Sequence, residues 1–307
     1  MNKSLYIVAF SLAFATTGIA QNNEGQDKTV DLGTQTTTEL RKTQAVSTIY
    51  SDELDKNATT SPYNAIYGLL PGLTVMQNTS WGTDKSRLNV RGRGSLNGDT
   101  PLFVVDGFAR PIEYINLSEI ESISVLKDGA ASAIYGTRGS NGVILINLKK
   151  GTKDGQVHTT YSTSVTFNKA KKELDIMNAE EYRAYRTVSN PLSDMGADSD
   201  WFDAVTQLGV THMHTLTFSG GNARTNYRVT ADYRNARGID LRSDRREYGA
   251  RANINHTTKD GLFTFSANIT PRVIDRNKSA NVYSNAIKNN PTMPIYDSES
   301  ANGYYRF

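Results

Sequence analysis

The sequence predicts an α+β domain followed by antiparallel β-strands that form the first part of a transmembrane β-barrel. Two changes of pattern along the 307 residues support this prediction. Residues 44–150 carry short β-branched runs separated by glycine turns, which is typical of a small mixed domain. Residues 151–307 instead alternate polar and apolar side chains over segments of about ten residues, as membrane-spanning strands do.

Composition narrows the possible functions. The chain has no cysteine, which excludes disulfides, thiolate zinc sites and cysteine nucleophiles. The formal net charge is only +3 and the basic residues are interleaved with acids, so we expect no nucleic-acid partner. The 24 glycines and 16 tyrosines favour strands and turns over helix bundles.

The first segment predicts export. Lys3 precedes an apolar run over residues 5–15, and the small residues Gly18 and Ala20 stand just before Gln21. This pattern is that of a secretory signal peptide over residues 1–20. The alternative, a membrane anchor, would need about 20 apolar residues.

Residues 21–43 form a polar, Thr-rich segment that cannot bury a core, so we predict a flexible periplasmic tail. In the α+β domain over residues 44–150, we expect helices over residues 63–70 and 130–135. Residues 123–126 and 143–148 flank the second helix, which predicts a strand, helix, strand unit. The predicted strands are residues 45–50, 73–76, 88–90, 102–105, 123–126 and 143–148.

The second half repeats one pattern. Its apolar face is rich in Tyr, Phe and Ala, whereas the opposite face carries charges such as Arg228, Asp232 and Arg251. A barrel accounts for this distribution, although a soluble β-sandwich also alternates and remains the alternative on pattern alone. The alternating segments are residues 157–167, 210–219, 224–236, 245–257 and 261–270.

Four motifs resemble the plug domain of SusC/RagA-type TonB-dependent transporters. They are LNVRGRGS over residues 88–95, PLFVVDG over 101–107, IESISVLKD over 120–128 and AIYGTRGSNGVILI over 133–146. The motif residues taken as candidate site residues are Arg91, Gly92, Arg93, Gly94, Asp106, Gly107, Lys127, Asp128, Tyr135, Gly136, Arg138, Gly139, Asn141 and Gly142.

The resemblance implies a plug inside an outer-membrane barrel of roughly 22 strands. It also implies uptake of oligosaccharides or peptides, driven by contact with TonB in the inner membrane, and a SusD-like surface lipoprotein as partner. The position of the TonB box is occupied by a short segment of the tail, for which an inert linker is the alternative. The TonB-contact candidates are Thr29, Val30, Asp31, Leu32 and Gly33.

Two departures from the family pattern bear on the expected architecture. The sequence leaves no room for the immunoglobulin-like domain that often precedes the TonB box. The 157 residues after Lys150 (307 − 150) are too few for the whole barrel at about ten residues per strand, so we expect an incomplete barrel. An open sheet edge is unstable in lipid, and we therefore do not expect these residues to insert alone.

The remaining candidate sites have weak support. The glycines after Arg91 and Arg93 do not follow a dinucleotide-binding pattern, and by the resemblance these arginines are expected to form ion pairs with the barrel wall. Asp106-Gly107 and Asp128-Gly129 are predicted as turns.

His212 and His214 share one strand face but lack a third metal ligand. The acidic cluster Asp198, Asp200 and Asp203 lacks the glycine and glutamate of a calcium loop. We therefore predict no metal, cofactor or enzymatic activity. A secreted or surface β-rich binding module, or a gene remnant that reuses a plug domain, is the alternative function.

Overall fold

A five-stranded mixed sheet and a long antiparallel sheet are the main elements of the protein. The computed structural model describes residues 10–14, 29–31, 36–38, 45–54, 56, 59, 61–76, 86–92, 99–129, 133–171, 175–186, 189–190, 193–277, 282–296, 298 and 303–304. Within these ranges no helix is long and apolar enough to cross a membrane.

The elements follow the chain in this order. The strands are β1 (Phe10–Phe14), β2 (Thr29–Asp31), β3 (Thr36–Thr38), β4 (Val46–Tyr50), β5 (Leu73–Met76), β6 (Arg87–Val90), β7 (Leu102–Val105), β8 (Phe108–Ala109), β9 (Ile120–Leu126), β10 (Val143–Leu148), β11 (His158–Asn168), β12 (Gly209–Gly221), β13 (Thr225–Arg237), β14 (Asp244–Thr257), β15 (Thr264–Ile269) and β16 (Arg272–Asn277). The α-helices are α1 (Ser51–Leu54), α2 (Pro62–Ala65), α3 (Ala179–Arg186), α4 (Trp201–Val205) and α5 (Val282–Lys288), and 3-10 helices cover Ile112–Tyr114, Leu117–Glu119 and Ala133–Gly139.

The mixed sheet builds the core of the α+β domain. Its strand order is β4-β9-β10-β7-β8, with β10 parallel to β7 and antiparallel to β9. Apolar side chains cover both faces of the central strands, because Ile144 and Ile146 pack into one cluster with α2 while Val143 and Leu145 pack into a second. Such near-continuous apolar strands are typical of sheets buried on both sides.

The turn after β7 confirms one of the predicted turns. Asp106 and Gly107 have φ values of 47° and 85° and join two strands paired at Val105 and Phe108, which is the geometry of a two-residue type I′ hairpin. The Asp106 carboxylate accepts a hydrogen bond of 3.0 Å from the Leu148 amide, beside the register shift at the end of β10. Asp106 therefore connects the ends of two strands.

The long sheet runs β11-β12-β13-β14 and continues with β15 and β16, both paired with β14. The pairs Ala252–Ile269 and Gly249–Arg272 have the same register, so β15 and β16 are one strand interrupted near Pro271. The sequence predicted only its first half because proline disfavours a continuous strand.

Among the described residues the long sheet does not close on itself. On its other side β1 pairs with β11, with Phe10 opposite Val165. Because β1 lies within the predicted signal peptide, cleavage after Ala20 would expose this edge of β11.

The two faces of the long sheet have reversed polarity. On β14 the side chains of Arg245, Glu247 and Arg251 lie on the face that meets the α+β domain and are only 3–5% exposed. Their neighbours Tyr248 and Ile254 are 54% and 44% exposed. A soluble sandwich buries its apolar face, so the structure favours the barrel interpretation over the sandwich alternative.

Helices were predicted less well than strands. The predicted helix over residues 63–70 ends at Ala65 and continues as turns. Residues 130–132 lie outside the described part of the chain, and residues 133–139 form 3-10 turns separated at Gly136, whose φ is 58° and ψ is −149°. The strands on either side are antiparallel neighbours in one sheet. α3 and α4 lie in a connection for which no helix was predicted.

We expect Gly151→Ala to destabilise the joint between the α+β domain and the long sheet. A β-carbon at Gly151 would overlap the main-chain carbonyl and amide of Tyr227 on β13, and backbone cannot move aside as a flexible side chain can. Overpacking of this kind costs about 1–3 kcal/mol. Thermal unfolding of the purified protein would measure the loss. The control is Gly129→Ala, since a β-carbon there meets open space; equal stability of the two variants would contradict the close packing at Gly151.

Candidate functional site

The candidate site is the contact between the α+β domain and the polar face of the long sheet. It begins at Glu119, the last residue of the 3-10 helix before β9. Asn116 caps this turn, since its side chain accepts a hydrogen bond of 3.0 Å from the Ser118 amide. The cap directs the Glu119 side chain toward β13 and β14, where it is only 2% exposed.

Two arginines of the long sheet bind the Glu119 carboxylate. Arg228 on β13 donates from Nη2 to Oε1 at 2.8 Å and from Nε to Oε2 at 3.1 Å, which is a bidentate pair. Arg251 on β14 donates from Nη1 to Oε2 at 2.8 Å and also to the Lys149 carbonyl at 2.8 Å. One carboxylate thus links the α+β domain to two neighbouring strands.

The pKa of Glu119 is lower than its ordinary value of 4.5. Burial by itself raises the pKa of this carboxyl, but the hydrogen bonds and positive charges of Arg228 and Arg251 together outweigh burial. Glu119 is therefore ionised at neutral pH, and both arginines have a buried counter-charge.

Asp106 forms a second contact beside the first. Its Oδ2 accepts a hydrogen bond of 3.0 Å from Asn268 on β15, and Arg251 Nη2 lies 3.7 Å from the same oxygen. Arg251 therefore stands between two carboxylates of the α+β domain. Motif residue Asp106 serves both its own turn and the contact with the sheet.

A third contact is centred on Arg272 of β16. Its Nη2 lies 2.9 Å from Asp232, its Nη1 lies 3.0 Å from Glu247, and its Nε donates to the Tyr114 carbonyl at 3.0 Å. A β-carbon at Gly249 would come within 2.5–2.7 Å of Arg272 and Asp232, so glycine leaves the room that this ion pair occupies. We call the three contacts at Glu119, Asp106 and Arg272 the polar seam.

The other motif residues support the α+β domain internally. The Asp128 carboxylate accepts a hydrogen bond of 2.6 Å from the Ala45 amide, and Lys127 Nζ donates to Ser47 Oγ. These two residues thereby hold the start of β4, where the predicted tail joins the domain. Gly142 has a φ of 89° and lies so close to Val90 that a β-carbon would be 2.8 Å from it.

The remaining predicted site residues lie at several different places in the structure. Gly92, Gly107 and Gly136 adopt positive φ values of 86°, 85° and 58°, whereas Tyr135 packs against the second core cluster. Arg138 lines an open cleft. Gly139 and Asn141 lie in the turns before β10, and Thr29, Val30 and Asp31 form β2 opposite β3. Leu32, Gly33, Arg93 and Gly94 lie outside the described residues.

The ion pair expected between Arg91 and the barrel wall stays a prediction. The Arg91 side chain is exposed, its φ is 57°, and its amide donates to the Gly72 carbonyl at 2.9 Å. In the described part of the chain, the ion pairs across the polar seam have the opposite polarity, with carboxylates in the α+β domain and arginines in the sheet.

Sequence reasoning missed Glu119, Arg228, Arg251 and Arg272 as partners. The charged face of the alternating strands was the available signal, but it did not reveal which domain residue would face it. His212 and His214 lie on the opposite, outer face with ring centroids 5.7 Å apart. Within the described residues no group of three or more His, Cys, Asp or Glu could hold a metal ion.

Comparisons with known proteins agree with this geometry. The sequence matches the family profile described as TonB-dependent Receptor Plug Domain over residues 38–143. It is 32% identical to the TonB-dependent receptor SusC of Bacteroides thetaiotaomicron and 30% identical to the TonB-dependent receptor P26 of Formosa agariphila. These matches cover 92% and 93% of this chain, and the chain spans about 30% of the length of each relative.

Solved structures show the same fold. The structure of the RagAB peptide importer in the 'open-open' state superposes with a TM-score of 0.71 at 23% identity, over 83% of this chain and 33% of that chain. The predicted fold class is confirmed, namely an α+β plug domain followed by antiparallel strands of an unclosed sheet.

The relatives are receptors rather than enzymes, which confirms the prediction that this chain is not an enzyme. The motifs, the polar seam between plug and sheet, and these likenesses lead to one conclusion. The chain belongs to the TonB-dependent receptors of the SusC/RagA type and carries their plug domain.

Proposed function

We propose that the chain is the plug and first wall strands of an outer-membrane nutrient transporter, in which the plug gates a pore for oligosaccharides or peptides. In this proposal residues 1–20 direct export, residues 21–43 are the periplasmic tail, residues 44–150 are the plug and residues 151–307 begin the barrel. The observation that carries the proposal is the polar seam, where charged side chains are buried beneath a sheet whose outer face is apolar.

A polar seam suits a plug that must stay closed at rest and yet move during uptake. Buried ion pairs hold the plug in one position because each charge needs its partner while water is excluded. If the plug shifts and water enters, Glu119, Arg228 and Arg251 regain hydration. Separation of two polar surfaces in water costs much less than exposing an apolar core of the same area.

The energy for this movement would come from TonB. The outer membrane holds no ATP or ion gradient, so mechanical work must reach the plug through the tail. The tail joins the plug at β4, whose first residues are held by Lys127 and Asp128. We therefore place the contact with TonB at Thr29, Val30, Asp31, Leu32 and Gly33, just before this junction.

A surface lipoprotein of the SusD type is the second proposed partner. Support comes from the similarity to SusC and to the solved structures of the RagAB peptide importer. β11 and β16 end, and β12 begins, at the end of the sheet opposite the short turns, so the connection over residues 169–208 and the chain after β16 both start from this end. Long connections face the cell exterior in outer-membrane barrels, so a surface partner would meet this end.

We expect Glu119→Gln to loosen the plug. The variant keeps the size of the side chain but removes the negative charge, which leaves Arg228 and Arg251 buried without a full counter-charge. Loss of one partner from a buried ion pair costs about 3–5 kcal/mol. The measurement is entry of a large hydrophilic antibiotic into cells that produce the full-length protein.

The matched control is Glu121→Gln, since Glu121 lies two residues further along and is exposed. Antibiotic entry should rise for Glu119→Gln and stay at the wild-type level for the control. Unchanged entry for both variants, with the protein present in the outer membrane, would contradict the gating role of the seam.

The seam should also weaken in acid. Because the folded-state pKa of Glu119 is lower than its ordinary value of 4.5, ionised Glu119 stabilises the contact fully above pH 4.5. This stabilisation is lost as the pH falls through the lowered pKa. Hydrogen exchange over residues 112–126 should therefore accelerate below that pKa in the wild type. The Glu119→Gln variant should lack this acid-dependent step, and an identical step in both proteins would assign it to another group.

Val30→Pro should abolish the contact with TonB. An extended segment that pairs with a partner through its main chain loses a donor when proline replaces a residue. Copurification of TonB with the full-length receptor measures the contact. Gln26→Pro is the control because it changes the same tail outside the proposed box. Undiminished copurification for Val30→Pro would mean that TonB binds elsewhere.

A further inference from the structure

A small pocket lies between the connection over residues 169–208 and the segment that follows β16. Its volume is about 150 Å³. A protein cavity of about this volume admits one six-membered ring. None of the residues described as lining it belongs to the polar seam. We call this space the outer pocket, and its principal lining residues are Met177, Asn178, Asp198, Trp201, Phe202 and Asn289.

Hydrogen bonds between the two segments fix the walls of the outer pocket. The Ser199 amide donates to the Pro291 carbonyl at 2.9 Å, and the Ser199 hydroxyl donates to the Met293 carbonyl at 2.6 Å. The indole Nε1 of Trp201 donates to the Asn290 carbonyl at 2.9 Å. The walls are therefore held in place without help from a ligand, and a preformed pocket loses little conformational entropy when it binds one.

Aromatic rings form one side of the outer pocket. Phe202 packs against Tyr283 of α5 with ring centroids 6.1 Å apart, and the hydrogen bond to Asn290 occupies the polar edge of Trp201. What Phe202 and Trp201 offer a ligand is thus apolar ring surface. The face of an aromatic ring carries partial negative charge and attracts C–H groups that neighbouring oxygens polarise. A sugar ring presents such C–H groups on its flat sides.

Polar side chains with unused hydrogen-bonding capacity also line the outer pocket. Asn178 Oδ1 accepts a hydrogen bond of 2.9 Å from the Glu181 amide, which leaves the Asn178 amino group for a ligand. Among the described residues, the Asp198 carboxylate and the Asn289 side-chain amide have no hydrogen-bond partner. The outer pocket thus offers acceptors at Asp198 and Asn289 and donors at both asparagines.

This combination of groups favours one class of ligand. A hydroxyl both donates and accepts, so the hydroxyls of one ring can satisfy Asp198 and the asparagines together. A metal ion binds only the oxygens, and a lysine or arginine side chain only donates, so either would leave the amide N–H groups unpaired. An apolar aromatic side chain would leave all the polar groups unpaired. A polyhydroxylated ring matches both the aromatic and the polar side of the pocket.

We propose that the outer pocket binds one pyranose ring of an oligosaccharide. One face of the sugar lies on Trp201 and Phe202, and its hydroxyls bond to Asp198 and Asn289. α4 ends at Val205, shortly before β12 begins, so the pocket belongs to the end of the sheet from which the long connections start. The inference rests on the proposed transporter function, and it assigns saccharides rather than peptides to a site in these connections.

Glycan binding to the full-length receptor tests the proposal. The receptor, purified in detergent, is applied to an array of oligosaccharides built from glucose, mannose, galactose or xylose, and a Lys- and Arg-rich hexapeptide is the peptide probe. Asp198→Ala removes a proposed acceptor, and Trp201→Leu removes an aromatic ring. Asp203→Ala is the matched control, because Asp203 is an exposed carboxylate of α4 outside the pocket lining.

The wild-type receptor should bind at least one oligosaccharide on the array. Asp198→Ala should weaken that binding about tenfold, as loss of a hydrogen bond to a charged group does. Trp201→Leu should weaken it at least as much, and Asp203→Ala should match the wild type. Because Trp201 also bonds to Asn290, Asp198→Ala is the decisive variant, and its thermal unfolding should match that of the wild type.

Equal affinities of the wild type and Asp198→Ala for the bound oligosaccharide would overturn the proposal. Absence of binding to every oligosaccharide on the array would do the same. Hexapeptide binding that is lost in Asp198→Ala, without any glycan binding, would assign the outer pocket to basic peptides instead.

The outer pocket and the proposed transport can fail separately. Uptake of the tritium-labelled oligosaccharide by cells that produce the receptor tests transport by itself. Uptake by cells whose purified receptor binds equally well with and without Asp198 keeps the transporter and overturns the pocket. Binding that is weakened in Asp198→Ala, in a receptor whose cells take up no oligosaccharide, keeps the pocket and overturns transport.

Discussion

The structure depends on one constraint: charges buried between the plug domain and the sheet must be paired. Glu119 meets Arg228 and Arg251, and each of these groups would be strongly unfavourable alone in that position. The cap at Asn116, the turn at Asp106 and the close approach at Gly151 all act on this contact, because they position the segments from which the charges project. The polar face of the sheet is thus the binding surface of the plug, while its apolar face is left for another environment.

Two glycines are as important to the seam as its charged residues, because they leave room for the contact. Gly249 leaves the volume that Arg272 and Asp232 occupy, and Gly151 lets two main chains touch. A larger residue at either position would separate the surfaces and lengthen the ion pairs. Coulomb interactions in a region of low dielectric fall with distance, so packing and electrostatics at the seam are parts of the same interaction.

Much of the fold could be predicted from the sequence because local rules govern it. Polar and apolar side chains alternate along the strands of the long sheet with a period of two residues. At most of the strand ends, the observed bound differs from the predicted one by no more than two residues. The helices over residues 179–186 and 201–205 were not predicted, since eight and five residues are too few to show a helical period. The seam could not be predicted because its partners are far apart in the sequence, with a separation of 109 positions for Glu119 and Arg228 and of 132 positions for Glu119 and Arg251. No local pattern reports which carboxylate reaches which strand.

Pro271 has a mechanical consequence for the sheet. It accepts a main-chain hydrogen bond of 3.0 Å from Ala250 but has no N–H to return, so the ladder between β14 and the divided last strand lacks one rung at that level. β15 and β16 meet at this point, and a sheet bends most easily where its ladder is interrupted. A sheet must curve to form a barrel wall, and we expect the wall to bend at Pro271, opposite the middle of β14.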